Sequence, residues 1–417
     1  MLLFVLLANV KALTMVLTWT IDYVTVSPDG FERRAIGVNK VFPPPAIELV
    51  IGDTLLLTII NNLSVPTSLH FHGLYQNNSN YMDGAAKITQ CPVPPAANFT
   101  YQINAQQTGS YWIHSHMLGQ YVDGLRSALI IHPLNDTLQQ QSYIVGLSGT
   151  VEFNIDWYHL EHQPLMDQFQ SIFNPTGKEP IPVAPLINQI KDQKYIFVPG
   201  KTYRMRFIGM TALSKFNVWI DGHNMTIIEV DGVDVEPYDV SILPIAAAQR
   251  YSVLVKALNQ TQFNYNLNAQ FDLEMFDDPP ASLISLVTAT LIYKSDVPIF
   301  VPSDIQNDPE LFDDTALVPL VAISSSIPDV SYVMDVRFQI HTDGINHGTF
   351  NNVVFQLPKV PSLYSVLSMG SLAEDRKIYA ETTNPFVLKH LQMVEIIVNN
   401  YDTGNHPFHL HGSIEAN

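Results

Sequence analysis

The stretch "LLTIINNLSVPTSLHFHG" (residues 56–73) returns near the other end of the chain as "EIIVNNYDTGNHPFHLHG" (395–412). Both run from an apolar, β-branched segment through Asn-Asn and a loop into His-x-His-Gly. The second loop is one residue longer. Between them, "YRMRFIGMTALSKFNVWIDGH" (203–223) keeps the strand–loop–strand rhythm but has no His-x-His. Self-similarity of this kind marks a chain built from copies of one supersecondary unit. Three copies predict three related β-sandwiches in series, an all-β fold.

The segments around the repeat agree. "AIELVIGDTLLLTIINNL", "GSYWIHSH", "RSALIIHP", "KTYRMRFIGM", "NMTIIEVDG" and "RYSVLVKAL" are short, β-rich and bounded by Gly, Pro, Asn or Asp. The best helical candidate is the short "HQPLMDQFQSIF". A chain of 417 residues with 47% hydrophobic and 14% charged residues is globular and too long for one small domain. Its 28 prolines favour strands and loops over long helices. Joints are expected near "IHPLND" (131–136) and within "SDVPIFVPSDIQNDPELFDD" (295–314). The expected division is a signal peptide over 1–15, a first sandwich over 16–134, a second over 135–297 and a partial third over 298–417.

A net charge of −18 leaves nothing to neutralise phosphates, which argues against a nucleic-acid partner. The opening "MLLFVLLANVKALT" carries an apolar run too short to span a bilayer and reads as a signal peptide. Six Asn-x-Ser/Thr sequons begin at Asn62, Asn77, Asn98, Asn135, Asn224 and Asn259, which fits a secreted or cell-surface glycoprotein. The single cysteine, Cys91, is either buried or separated from a partner that this sequence does not contain.

Seven of the fourteen histidines fall in three tight groups: His70 and His72, His114 and His116, and His406, His409 and His411. On a strand, residues i and i+2 share one face at roughly 6.5–7 Å, so each pair can serve one metal or two adjacent ones. Imidazoles without thiolates suit copper, zinc or iron. His-x-His occurs in the first and last copies of the repeat but not in the middle one. The metals are therefore expected between the first and third sandwiches.

At these motifs the chain resembles the multicopper oxidases, which consist of three cupredoxin-like Greek-key β-sandwiches carrying four His-rich motifs. The resemblance runs from about residue 18 to 412 and is nearest to the fungal iron-transport ferroxidases. It rests on "LHFHGLYQNNSNYMDGAAKITQCPVPP" (69–95), "GSYWIHSHMLGQYVDGL" (109–125), "FNPTGKEPIP" (173–182), "AAAQRYSVLV" (246–255) and "NNYDTGNHPFHLHG" (399–412). It implies that His70 and His409 hold a type 2 copper, that His72, His114, His116 and His411 belong to a type 3 pair, and that His406 is one ligand of a type 1 copper. Asp83 matches the acid that the family places beside the trinuclear cluster. For Fe(II), the branch's acids would correspond to Asp156, Asp277 and Asp402, and His347 or a neighbour replaces an aromatic of that branch. Fe(II) and O2 are the implied substrates. A membrane iron permease is the implied partner, with a C-terminal membrane helix as anchor.

The family completes its copper sites with a His-Cys-His segment, which supplies two type 3 histidines and the type 1 cysteine and histidine. The present sequence stops at Asn417 without one. The resemblance therefore fills the type 2 pair, leaves the type 3 set short by two ligands, and leaves the type 1 site with His406 alone. The third sandwich is expected to expose apolar faces and strand edges. The context of Cys91, "TQCPVPP", is the family's disulfide position, whose partner is C-terminal. Oxidation of Fe(II) is the expected ancestral activity. A secreted laccase-type phenol oxidase and a non-catalytic copper-binding remnant stay open as alternatives.

Overall fold

A computed structural model describes residues 12–134, 150–153, 155–190, 192–302, 312–323 and 326–412. The expected signal segment up to Lys11, the sequon at Asn135 and much of the expected joint within 295–314 lie outside these residues. The first sandwich contains β1 (Thr14–Val26), β2 (Arg33–Val38), β3 (Ile47–Val50), β4 (Thr54–Asn61), β5 (Leu69–His72), β6 (Asn98–Asn104), β7 (Gly109–Ser115) and β8 (Arg126–His132). Its two sheets have the orders β2-β1-β4-β6 and β3-β8-β7-β5. β1 starts at Thr14, inside the segment expected as signal peptide, and pairs there with Thr54 of β4.

Alternation shapes these strands. Along β4, Leu55, Leu57 and Ile59 are buried between the sheets, while Thr54, Leu56, Thr58 and Ile60 are only partly covered. On β5 every residue is buried, for two different reasons. Leu69 and Phe71 join the sandwich core, whereas His70 and His72 occupy the opposite face, where the third sandwich meets the first.

The second sandwich contains β9 (Thr150–Phe153), β10 (Asp156–Trp157), β11 (Ala184–Pro185), β12 (Lys194–Ile196), β13 (Thr202–Gly209), β14 (Phe216–Ile220), β15 (Met225–Val230), β16 (Val233–Val240), β17 (Leu243–Ile245), β18 (Arg250–Lys256), β19 (Tyr265–Phe271) and β20 (Leu286–Ile292). Two five-stranded sheets, β12-β20-β19-β14-β17 and β16-β15-β18-β13-β9, enclose its core. The degenerate repeat copy forms β13 and β14. Helix α1 (His162–Phe169) occupies the expected helical stretch. Trp112, Ala128 and Ile130 of the first sandwich pack on Ile208 and Met210 of the second.

The third unit has one described sheet, β22-β21-β23, from β21 (Val330–Ile340), β22 (Asn346–Phe350) and β23 (Val394–Asn400), beside helix α2 (Ser362–Ser368). Val333, Phe338, Ile340, Ile396 and Ile397 are exposed on these strands. One local expectation fails here. His409 and His411 do not lie on a strand, because residues 401–412 follow β23 as irregular chain.

Candidate metal centre

β5 brings His70 and His72 to one face, and the β5–β7 ladder sets His70 directly opposite His114. His116 lies one residue past β7, where its N–H donates to the Ser68 carbonyl at 3.1 Å. The third unit closes over this face. The His409 ring stacks on His72 with centroids 3.7 Å apart, and His411 stacks on His70 at 4.1 Å. His70 is the hub, with ring centroids of His72, His114 and His116 at 5.5, 5.3 and 5.5 Å. Possible ligand atoms of His70, His409 and His411 lie within 4.8 Å of one another, as do those of His70, His72 and His114.

The rings are oriented by what holds their other nitrogen. His70 Nδ1 donates to the Asp83 carbonyl at 2.9 Å, His114 Nδ1 to the Ser115 carbonyl at 2.9 Å, and His411 Nδ1 to Asp83 Oδ2 at 2.8 Å. Each anchor turns Nε2 toward the cluster, the arrangement common to metal-binding histidines, with His114 Nε2 3.4 Å from His72 Nδ1. His70 Nε2 is buried and has no hydrogen-bond partner. A buried orphan nitrogen facing five other imidazoles is what an all-imidazole metal site looks like, and such donors fit copper. Asp83 reaches β5 because Gly84, at φ +83°, carries no side chain. A Cβ there would lie 1.6 Å from the Leu69 carbonyl oxygen.

Electrostatics favour the neutral ring at His70, His72, His114, His116 and His409. Burial, reinforced by neighbouring imidazoles, lowers the pKa of His70, His72 and His114. Burial and the same neighbours bring His116 to about 4 and His409 to about 3. Metal binding requires the neutral ring. Burial pushes the Asp83 carboxyl up, but hydrogen bonds from His411 and His70 outweigh it and hold the group well below the carboxylate range.

His406, the seventh expected ligand, lies apart from this cluster. Its Nε2 is 2.8 Å from Asp402 Oδ2, and its ring stacks on Phe338 at 4.9 Å. Glu179, absent from the acids expected from sequence, belongs to this second neighbourhood. Its pKa is raised, first by burial and then by the negative charges of Asp277 and Asp402, while His406 opposes them. Glu179 lines an open cleft of about 310 Å³ with Gln168, Phe169, Asn174 and Lys178. A second cleft of about 170 Å³ shares Phe169 and adds Phe338, Phe355 and His347, whose Nε2 is 2.8 Å from Asp343. Glu179 is the only acid of "FNPTGKEPIP", but nothing local in that loop points to Asp402.

Asp156 needs correction. It was expected as an iron-binding acid, but it is fully buried on β10. Its oxygens accept from the backbone N–H groups of Ala212 (2.9 Å), Leu213 (2.7 Å) and Ser214 (3.3 Å). A carboxylate saturated by three backbone donors inside the second sandwich braces the 211–214 loop and cannot take a cation from solvent. Cys91 carries an exposed thiol.

Three family models described as multicopper oxidase match residues 20–136, 150–296 and 355–414. The iron multicopper oxidase fer1 of Mycosarcoma maydis is 42% identical over 98% of this chain and 69% of its own length. The iron transport multicopper oxidase fetC of Epichloe festucae is 42% identical over 94% of this chain and 63% of its own. Among solved structures, Fet3p, described as a multicopper oxidase that functions in iron import, superposes with a TM-score of 0.89 at 34% identity, covering 96% of this chain and 75% of that one. The laccase of Botrytis aclada follows at 0.78 and 26%, again over 96% and 75%. The chain thus spans about two thirds of the length of the curated relatives it matches.

Proposed function

The chain belongs to the multicopper oxidase family, and on that premise we propose that it serves copper-dependent oxidation of Fe(II) to Fe(III), coupled to four-electron reduction of O2 to water, in iron uptake. The observation that carries the choice of iron is the acidic neighbourhood of His406: its Nε2 lies 2.8 Å from Asp402, and the charges of Asp277, Asp402 and His406 all act on Glu179. Fe(II) is a hard cation that prefers oxygen donors, and an acidic neighbourhood raises its local concentration.

When bound, copper supplies one-electron redox chemistry and the site of O2 reduction. The chain's own residues do the rest. His70, His72, His114, His116 and His409 offer neutral imidazoles between the first and third units, and His411 adds a ring held by Asp83. Asp83 orients His411 and His70 and keeps an anionic carboxylate at the edge of the cluster. Asp402 holds His406 by hydrogen bond and joins that ring to the acid cleft.

Handing Fe(III) to a membrane iron permease is part of this proposal, supported by the iron-transport names of the relatives. Placement outside the cell is also proposed. The apolar opening supports it, and so does the exposure of Asn62, Asn77, Asn98, Asn224 and Asn259. Among the described residues no helix is long and apolar enough to cross a membrane. Fe(II)-dependent O2 uptake by the copper-loaded protein tests the function. A rate that depends on Glu179 and Asp402 supports it. Equal losses with a phenol donor in Glu179→Gln would move the assignment to a laccase, whose donor would occupy the aromatic cleft beside Phe338.

A further inference from the structure

The motif "AAAQRYSVLV" lies in the second sandwich, which contributes none of the cluster's imidazoles. Its arginine nevertheless reaches the turn beside that cluster. Arg250, the first residue of β18, is buried. Its Nε donates to the Ser110 carbonyl at 2.9 Å, and its Nη1 donates to the Ala248 carbonyl at 3.1 Å and pairs with Asp231 at 3.0 Å. Nη2 lies against Gly73, the residue after His72. A Cβ added to Gly73 would be 2.5 Å from it. The guanidinium charge is felt by His72, His409 and Tyr75.

These contacts fill a gap in the first sandwich. The β5–β7 ladder ends at His72–Trp112, so no β5 residue lies opposite Ser110. Arg250 takes the Ser110 carbonyl instead, and Glu229 accepts the Ser110 N–H at 2.8 Å. The turn that follows His72 also meets the third unit, where Gly412 approaches the Tyr75 carbonyl so closely that a Cβ would lie 3.1 Å away. Gln107 secures the same turn, donating to the Gly73 carbonyl at 3.0 Å and accepting from the Tyr75 N–H at 2.7 Å.

We propose that Arg250 is a positioning residue for the copper cluster: its fork braces the His72–Tyr75 turn from the second sandwich and thereby sets His72 against His409. The inference rests on the copper reading above. Lysine cannot replace the fork, since one ammonium cannot bond the Ser110 carbonyl and reach Gly73 together.

The test is Cu(II) binding by the full chain in competition with a chelator, read with the EPR spectrum, for the unaltered protein, Arg250→Gln, Arg250→Lys and Glu229→Gln. Partners that orient metal ligands typically contribute 10–100-fold in metal affinity. Arg250→Gln and Arg250→Lys are each expected to bind Cu(II) about tenfold more weakly, with altered nitrogen hyperfine structure. Glu229→Gln, which leaves the Gly73 contact in place, is expected to lower the urea midpoint but keep affinity and spectrum. Arg250→Lys retains the charge and decides the matter if Arg250→Gln does not fold. Unaltered affinity and spectrum in Arg250→Lys would overturn the proposal, as would equal weakening in Glu229→Gln. Absence of Cu(II) binding by the unaltered chain would instead overturn the copper reading beneath it.

Discussion

His411 and Asp83 are 328 residues apart in the chain, yet His411 Nδ1 donates to Asp83 Oδ2 at 2.8 Å. The same aspartate accepts from His70 through its backbone carbonyl. One acidic residue of the first sandwich thus orients a ligand from each side of the interface. This pairing fixes which nitrogen of each ring faces the metal.

Replacing Asp83 by Ala removes the anchor of His411 and the 3.2 Å contact of Oδ1 with His70 Nδ1, and leaves His70 its bond to the residue 83 carbonyl. Copper affinity should fall between about 10- and 100-fold, the range for such partners. Chelator competition on purified protein measures it.

Asp156→Ala should behave as a stability mutation. Three backbone N–H groups, that of Ser214 buried and those of Ala212 and Leu213 partly so, lose their acceptor, and buried Arg126 loses a nearby opposite charge. A cost on the order of 3 kcal/mol is expected, since each buried group left unpaired carries a desolvation penalty. A lowered urea midpoint with copper-loaded KM for Fe(II) unchanged is the expected pair of results.

Glu179→Gln and Asp402→Asn should do the reverse. Each removes one negative charge facing a divalent substrate and leaves the sandwich cores untouched. KM for Fe(II) should rise about tenfold in each, the effect of about 1.4 kcal/mol, while phenol turnover changes little. Steady-state kinetics with both donors checks this.

Glu229 gives a pH dependence. Burial raises its pKa, but Arg206, Arg204, Ser252 and the Ser110 N–H bring it down to about 2. A depressed carboxylate contributes stability that is fully present above its unfolded value, near 4.5, and is lost as pH falls toward 2. At neutral pH the contribution is on the order of 3 kcal/mol, since each tenfold weakening of proton binding in the folded state is equivalent to about 1.4 kcal/mol. Unfolding midpoints should decline below pH 4.5 in the unaltered protein and decline less in Glu229→Gln.

Much of this was legible in the sequence because it is periodic or repeated. Alternation in "TLLLTIIN" gives β4, and two copies of His-x-His-Gly point to a cluster shared by the first and third units. What was not legible is non-local. Nothing in "NIDW" separates a solvated acid from one capped by a backbone 56 residues away. Glu179 sits in a Pro-Gly loop without periodicity, and only the third dimension brings it near Asp402. Arg250 acts on Ser110 across a domain interface. The histidines of "HPFHLHG" reach the cluster without the strand that their counterparts in "HFHG" occupy.

The most direct test of the central claim is a Cu(II) titration of the purified chain followed by EPR, repeated on His70→Ala and His409→Ala. One residue comes from the first sandwich and the other from the third. A single interdomain cluster predicts nitrogen hyperfine structure from several imidazoles and loss of tight binding in both variants. His409→Ala binding copper with unchanged affinity and spectrum would contradict it.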